Sequence, residues 1–375
     1  DLDSLLSDET PVQMYDDGTN GDATASDNIW TKSGINLGDG TLFTFSQKAL
    51  IAPGGVSTNI FSWYKAEDIL TTSNVNPTQG AQCTTNCTWY DASGNDRNGV
   101  SSGNLAYQTY NGAGTAINYN PAIDMDGGND IFTLPTGAVP LNNTTYFARA
   151  VFVADTTTNR KVISGGTQTA DDMWSFGLNG SAKVFDSWQI NDSAGATTVV
   201  TTKPYIGGVR YDAGASTDRY IYLDGKVDFS EAEASLRTTA SSATNYIGQS
   251  ADGSEDFDGR IAEIIVYSAA SGATNTEAEI QKIDSYLAIK YGITLSGDNN
   301  GDTVLGSAPN GNGINEGDYV LSTGAVVWDY SARTGYLSDV FGIARDDAGA
   351  LAQVKSRSME ADGIVTVEAE SEGNN

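Results

Sequence analysis

The residues with the clearest metal-binding chemistry lie in one loop of the chain. Asp298, Asn300 and Asp302 present side-chain oxygens at alternate positions. Ca²⁺ prefers oxygen ligands from side chains, backbone carbonyls and water. However, Thr303 and Pro309 occupy the positions where a complete calcium-binding loop needs glycine and glutamate. The spacing therefore supports two hypotheses equally, a calcium ion or a solvated turn of Asp and Asn.

Two tryptophans have the chemistry to bind a sugar. Trp174 and Trp188 lie in polar surroundings, and an aromatic ring with hydrogen-bonding neighbours can stack on a sugar ring. One hypothesis makes either residue a ligand-binding platform, and the other buries it in the core. Trp63, Trp89 and Trp328 are flanked by strand-forming residues, so we predict that these three are core residues.

The composition argues against most catalytic mechanisms. The chain contains no histidine, which excludes Ser-His-Asp and Cys-His catalysis and nearly all zinc enzymes. A glycosidase with a pair of carboxylates remains possible. The nearest acidic cluster, from Glu255 to Asp258 and then Glu263, lacks the alternation that would place three acids on one strand face. We therefore predict a protein that is not an enzyme and has no catalytic residues.

Charge restricts the partners of the protein. The net charge is −28 and the pI is about 4.1. An acidic chain of this kind repels nucleic acid and anionic lipid, so we expect neither partner. No apolar run is long enough for membrane insertion. Most of the 48 Asp and Glu residues should form a solvated surface.

The two cysteines indicate an oxidising compartment. Cys83 and Cys87 are the only thiols, and no histidine or second cysteine pair completes a zinc site. We predict a local disulfide and a secreted or cell-surface protein. The first and last residues suggest a piece excised from a longer secreted protein.

Local patterns predict an all-β chain with one helix. Short strand-like runs alternate with turns, and Asp224-Gly225 fits a type I′ hairpin. Thr276 and Glu279 form a capping box, and Gly292 suits the C-terminal end of a helix. We predict a helix over 276–291, packed on the edge of a sandwich.

The chain divides into three predicted regions. Residues 1–57 form a leading β segment, 58–294 form the sandwich with its helix, and 295–375 form a C-terminal β region. The alternating strand from Gly363 to Glu368 would expose an edge if its partner lies beyond residue 375.

Several motifs, in order, carry a family resemblance. They are Pro53–Asn59 leading into Trp63–Glu67, then Trp89–Asn95, Asp124–Asp130, Phe257–Tyr267 and Ser285–Leu295. Together they resemble the laminin-G-like modules of the concanavalin A-like lectin superfamily. With Val340–Asp347 after them, they are similar to large surface adhesins of Bacteroidetes-like bacteria. The resemblance implies an antiparallel jelly-roll β-sandwich and leaves the ligand open.

The resemblance also implies a second calcium site. Metal-holding members of the superfamily place the Asp of the Asp-x-Ser-Gly-Asn turn near an acid of the late Gly-x-Ile strand. These positions correspond to Asp91 and Glu263, with Asn95 or backbone carbonyls completing the shell. The alternative is that Asp91 and Asn95 only cap the turn by side-chain-to-backbone hydrogen bonds.

These observations lead to one functional prediction and one rival from another class. We predict a non-catalytic extracellular adhesion module that binds a glycan or a surface protein, with calcium as a structural cofactor. The rival is a structural β unit of a surface filament that packs against copies of itself or the rest of a larger protein. A glycoside hydrolase is the third hypothesis.

Overall fold

Strands are the main regular structure of the described backbone, as the Val-, Thr- and Tyr-rich sequence predicts. The computed structural model describes residues 51–71, 73, 75–78, 80–83, 85–108, 116–140, 144–167, 169–213, 219–233, 237–238, 245–270, 275–296, 317–333, 335–359 and 365–369. The predicted loop with Asp298, Asn300 and Asp302, and residues 1–50 of the predicted leading segment, lie outside these ranges. Leu50–Asn375 forms one compact unit.

Besides three short 3₁₀ helices (Pro53–Gly55, Ser331–Arg333 and Asp347–Gly349), the described elements are twenty-two strands and one α-helix. In chain order they are β1 (Ile60–Leu70), β2 (Thr85–Asp91), β3 (Gly99–Ser102), β4 (Ala106–Gln108), β5 (Ala122–Asp126), β6 (Ile131–Leu134), β7 (Thr145–Ala154), β8 (Arg160–Gly165), β9 (Trp174–Leu178), β10 (Val184–Ser187), β11 (Asp192–Ala194), β12 (Pro204–Tyr211), β13 (Arg219–Leu223), β14 (Lys226–Glu231), β15 (Asn245–Ile247), β16 (Asp258–Ala269), α1 (Glu277–Tyr291), β17 (Tyr319–Val320), β18 (Val326–Trp328), β19 (Ala344–Asp346), β20 (Leu351–Gln353), β21 (Lys355–Arg357) and β22 (Thr366–Glu368).

One large antiparallel sheet forms the sandwich. Its strands follow the order β11-β10-β9-β8-β15-β6-β3-β2-β1-β16-β7-β12-β13-β14, with β5 joined to β16 and β4 joined to β5. Strands β13 and β14 are joined by Asp224 (φ 50°) and Gly225 (φ 81°), the left-handed pair that the predicted hairpin requires. The predicted all-β, antiparallel sandwich is therefore confirmed.

The middle of the sheet is buried on both faces. All ten residues of β7 are buried. Alternate side chains such as Ala148 and Phe152 join the core inside the sandwich, while Phe147 and Val151 join a second core beneath α1. A strand buried on both faces has no solvent-facing side, so every polar group on it needs an internal partner.

Helix α1 begins and ends where the sequence predicts. Thr276 accepts a hydrogen bond from the backbone of Glu279, whose side chain accepts one from the backbone of Thr276, and Gly292 closes the helix with φ 63°. The predicted position on the edge of the sandwich is wrong. Ile283 and Leu287 pack over the sheet face, in one core with Phe147 and Ile265, because that face carries its own apolar set.

A buried ion pair ties α1 to the centre of the sheet. The guanidinium of Arg149 donates to both carboxylate oxygens of Asp284, over 2.7 and 3.1 Å, and both side chains are buried. The same guanidinium lies over the rings of Phe147 and Tyr222, at 4.2 and 4.0 Å. The pair fixes the register of α1 on β7, since a displaced helix would leave both charges buried and unpaired.

The segment before the sandwich also packs against α1. A Cβ atom on Gly54 would lie 2.5 Å from the backbone carbonyl of Lys282, and Gly54 has φ 61°. Only glycine allows both the backbone conformation and this close approach. Residues 51–57, which the sequence assigned to the leading segment, thus pack with the helix of the sandwich.

The C-terminal strands form three two-stranded ribbons, β17–β18, β19–β20 and β21–β22. Strand β22 is paired with β21, with Val367 opposite Ser356. One edge of this alternating strand therefore has a partner within the chain. Its partner lies about ten residues upstream, where Lys355-Ser356-Arg357 is too short and too polar to be read as a strand from sequence.

A buried asparagine helps to join the β21–β22 ribbon to the sandwich. Asn118, fully buried, donates to the carbonyl of Lys290 and to the hydroxyl of Ser356, and accepts from the backbone of Arg357. The loop between β4 and β5, the end of α1 and β21 therefore meet at one side chain. Within the described ranges, no helix is long and apolar enough to cross a membrane.

Candidate functional site

The turn after β2 is organised by a carboxylate. One oxygen of Asp91 accepts hydrogen bonds from the backbone N–H groups of Trp63 and Ser93, at 2.9 and 3.0 Å, and the other accepts from that of Arg97 at 3.1 Å. Asn95 donates to the carbonyls of Ile60 and Phe61. These contacts match the turn-capping alternative, in which side chains satisfy backbone groups.

Glu263 is the anchor between the sheet and α1. It is fully buried, and its two oxygens accept four hydrogen bonds. The donors are the indole of Trp63 at 2.6 Å, the ammonium of Lys290 at 2.8 Å, and the hydroxyls of Tyr291 and Tyr286 at 2.8 and 3.2 Å. We call these five residues the Glu263 cluster. A buried carboxylate is tolerated when a cation and hydrogen bonds compensate for lost solvation, as here.

A second glutamate meets the same lysine. Lys290 donates to Glu67 at 2.7 Å as well as to Glu263. Burial would lower the pKa of Lys290, but the two carboxylates outweigh it and hold the pKa well above its usual value. Burial would raise the pKa of Glu67, but Lys290 and Lys65 outweigh it and hold the pKa below its usual value. Lys290 and Glu67 therefore both remain charged.

These residues do not fit a calcium ion. Both oxygens of Asp91 already accept backbone N–H groups, and Glu263 is occupied by four donors, one of them the Lys290 ammonium. A cation at Glu263 would meet that positive charge at close range. Among the described residues, no group of three or more Asp, Glu or Cys side chains is arranged to hold a metal. Calcium at Asp298, Asn300 and Asp302 stays a prediction.

Neither predicted sugar platform is accessible. Trp174 and Trp188 are both fully buried, so their faces cannot stack on a ligand. Trp174 packs edge-on against Tyr146, and Trp188 packs edge-on against Tyr211. Both tryptophans are therefore core residues, as the second hypothesis predicts. The polar residues near Trp188 suggested an exposed position in the sequence. Asp186, two positions before Trp188, is itself fully buried.

Asp186 is the centre of a polar network inside the sandwich. It accepts from the hydroxyl of Tyr146 at 2.6 Å, the guanidinium of Arg219 at 2.7 Å and the indole of Trp174 at 3.1 Å. Trp188 donates to the hydroxyl of Tyr146 at 2.9 Å. Burial and the charge of Asp186 raise the pKa of Tyr146 well above its usual value. Every indole in this network therefore has a hydrogen-bond partner, as a buried tryptophan requires.

The remaining sequence-predicted residues occupy structural positions. Cys83 and Cys87 are joined by a disulfide, with Cα atoms 5.5 Å apart. Trp63 and Trp89 are buried in the two cores, while Trp328 is half-buried at the edge of the second. These residues support the fold, and none of them forms a ligand site.

Sequence reasoning missed the charged residues that hold the structure together. Arg149 interrupts the apolar run of β7, and Lys290 follows Ile283 by seven positions on the apolar stripe of α1. A charge inside an apolar pattern is the available signal, since such a charge must find an internal partner. Identifying that partner requires the fold, because Lys290 and Glu67 are 223 residues apart in the chain.

Two family models match consecutive parts of the chain. Residues 126–277 match the concanavalin A-like lectin/glucanases superfamily. Residues 279–375 match DUF8202, a domain of unknown function. The two stretches meet at the start of α1. No curated protein sequence matches the chain.

Three solved structures show weak likeness to this chain. Domain 4 of AbnA, an extracellular arabinanase from Geobacillus stearothermophilus in complex with arabinotriose, is 18% identical over 60% of this chain and 98% of that one, with a TM-score of 0.39. Trypanosoma rangeli sialidase in complex with sialic acid is 10% identical, covering 61% and 33%, with a TM-score of 0.37. The ligand binding domain of botulinum neurotoxin serotype D, in complex with N-acetylneuraminic acid, is 11% identical, covering 63% and 53%, with a TM-score of 0.41. TM-scores below 0.5 are too low to support inferences about this chain.

Removing the cation of the Glu263 cluster should destabilise the protein strongly. We expect Lys290→Met to lower the free energy of unfolding by about 3–5 kcal/mol, because it leaves Glu263 buried without a counter-charge. The double variant Glu263→Gln/Lys290→Met removes both charges and should be at least about 1 kcal/mol more stable than Lys290→Met. Urea unfolding measures both. The exposed Lys226→Met is the control, and a Lys290→Met loss no larger than the control's would contradict the account.

Stability should fall at alkaline pH. Burial, with the charge of Glu263, raises the pKa of Tyr286 and Tyr291 well above 10 in the folded state. In the unfolded chain both titrate near 10, so the folded state binds more protons above that pH and stability decreases as pH rises. The raised pKa of Lys290 also makes stability decrease as pH rises. The contribution of these three groups to folding stability is therefore fully present below about pH 10.

Urea unfolding between pH 8 and 11 tests this dependence. We expect the free energy of unfolding to decline less steeply with pH for Tyr291→Phe than for the wild type, since the variant lacks one hydroxyl whose pKa is raised by folding. Tyr336→Phe, at a tyrosine that is 73% exposed, is the matched control and should decline like the wild type. An equal decline in all three proteins would refute the assignment to the Glu263 cluster.

Proposed function

We propose that this chain is a non-catalytic module of a large extracellular surface protein, and that it binds glycans in adhesion. The match of residues 126–277 to the concanavalin A-like lectin/glucanases superfamily supports glycan binding, and it leaves glycan hydrolysis as the main enzymatic alternative. The accessibility of Glu67 and Glu263 is the observation that favours a glycan-binding protein over a glycan hydrolase.

The two glutamates are close enough together to be compared with the carboxylate pair of a hydrolase. Both bind the Nζ atom of Lys290, at 2.7 and 2.8 Å, so their bonded oxygens lie no more than about 5.5 Å apart. Retaining glycosidases separate their two carboxyl groups by about 5–5.5 Å. Here, however, an ammonium occupies the space between them, and Glu263 is inaccessible beneath α1. A substrate cannot reach the pair, which favours binding over hydrolysis.

The disulfide and the net charge support two other parts of the proposal, the compartment and the choice of partner. The disulfide between Cys83 and Cys87 favours an oxidising compartment. The net charge of −28 keeps the protein soluble and discourages contact with nucleic acid and anionic membranes. We propose a calcium site only at Asp298, Asn300 and Asp302.

One observation favours the structural rival. Val354, Val365 and Val367 of the β21–β22 ribbon and its flanks are 64, 58 and 39% exposed. Exposed apolar side chains on one ribbon can pack against a neighbouring protein. In this second hypothesis the chain is a β unit of a surface assembly, in contact with copies of itself or with the rest of a larger protein.

Binding and hydrolysis assays on one panel of polysaccharides distinguish these functions. We expect the wild-type protein to be retarded in affinity gels that contain a neutral polysaccharide and to release no reducing ends from it. Released reducing ends that disappear in Glu67→Gln would identify a glycosidase and overturn the proposal. Absence of both retardation and hydrolysis across the panel would favour the structural β unit.

A further inference from the structure

A row of uncharged side chains crosses four neighbouring strands on the outer face of the sheet. Strands β15, β6, β3 and β2 are consecutive, and Tyr246, Thr133 and Val100 are successive cross-strand partners on the first three. Thr88 of β2 is the partner of Val100, and Tyr90 lies two residues further along, on the same side of β2. We call Thr88, Tyr90, Val100, Thr133 and Tyr246 the Tyr246 face.

The Tyr246 face points away from the sandwich core. The residues that alternate with it, such as Trp89 and Phe132, are fully buried in that core. On the outer side, Val100 is 46% exposed and Tyr90 is 39% exposed, while Tyr246 is half-buried. An aromatic and aliphatic surface is therefore open to a ligand here, unlike the buried tryptophans.

The open surface ends beside Tyr246. Ser164 of β8 is the next cross-strand partner of Tyr246, and it is fully buried. Its hydroxyl donates to the carbonyl of Gln249 at 2.6 Å, and Lys161 of β8 binds Glu255 at 2.9 Å. The segment from Gln249 to Glu255 thus covers β8. Tyr246 lies at the border of this cover, where its ring has less freedom to lose on binding than a fully exposed ring.

The chemistry of the Tyr246 face selects the ligand class. Among the described side chains that point outward from β2, β3, β6 and β15, none is charged, although the protein has a net charge of −28. The hydroxyls of Tyr90, Thr133 and Tyr246 form no hydrogen bond with any other described residue. Free hydroxyls can donate to and accept from a sugar, and aromatic rings can stack on it. An anionic ligand would meet the negative field of the protein without a local cation.

The size of the face indicates an oligosaccharide. Tyr246 and Tyr90 are separated by three strand spacings, about 14 Å across the sheet. Thr133 and Val100 lie between them. One sugar ring cannot contact both tyrosines, but an oligosaccharide that lies across the strands can.

From these observations we infer that the Tyr246 face is the glycan-binding surface, and that its ligand is a neutral oligosaccharide. This inference rests on the proposed glycan-binding function. The ring of Tyr246 stacks on one sugar and the ring of Tyr90 on another further along the oligosaccharide. The hydroxyl of Thr133 hydrogen-bonds to the sugars between them.

Calorimetric titration with neutral disaccharides and hexasaccharides of glucose, xylose and mannose tests the assignment. We expect Tyr246→Ala to weaken hexasaccharide binding about tenfold, which corresponds to about 1.4 kcal/mol. Tyr246→Phe should retain most of the affinity because the ring remains. Tyr90→Ala should weaken the binding of hexasaccharides more than that of disaccharides, because only the longer ligand reaches both rings.

A second variant tests the face without removing an aromatic ring. Val100→Asp, at an exposed position, places a charge under the ligand that binding would have to desolvate, so it should weaken hexasaccharide binding at least about tenfold. Phe229→Ala is the matched control, because Phe229 is 38% exposed and lies on β14 at the far end of the sheet. It should bind like the wild type. Thermal unfolding of each variant verifies that it is folded before titration.

The outcomes separate this inference from the proposed function. If the wild type binds and Tyr246→Ala and Val100→Asp bind equally well, the glycan site lies elsewhere and the inference is overturned. Tighter binding of polygalacturonate than of any neutral oligosaccharide overturns the ligand class. If the wild type binds no glycan of either kind, the proposed function itself fails, together with this inference.

Discussion

Burial of the central sheet on both faces is the constraint on which the rest of the structure depends. Strand β7 and its neighbours are covered by the sandwich core on one side and by α1 on the other. Any charge on these strands must therefore find a counter-charge inside the protein. Arg149 pairs with Asp284, and Glu263 pairs with Lys290. The position of α1, and of the C-terminal ribbon that Asn118 joins to it, follows from these pairs.

The same constraint changes the roles of the acidic residues. A carboxylate that accepts several internal donors is committed to the fold, and it is not available to a metal or a substrate. Asp91, Asp186 and Glu263 are all in this state. Ligand recognition must therefore use side chains that remain accessible, and the buried Trp174 and Trp188 are not among them.

Local chemistry could be predicted from the sequence, but long-range partners could not. The helix was predictable because Thr276 and Glu279 act on each other within its first turn and Gly292 acts on its last turn. The hairpin was predictable because Asp224-Gly225 sets its own backbone conformation. The burial of Trp188 depends on Tyr146 and Tyr211, which are distant in the chain. The partner of Trp63, Glu263, lies 200 residues away, and no local pattern identifies it.

The most direct test of this account is thermal unfolding of the wild type and Glu263→Gln, each freed of metal by a chelator and measured with and without calcium. Because Glu263 acts as an anchor for α1, we predict that Glu263→Gln has a lower Tm under both conditions and that calcium changes the Tm of both proteins equally. A calcium-induced rise of several degrees in the wild type that is absent in Glu263→Gln would show that Glu263 is a metal ligand and would contradict the account.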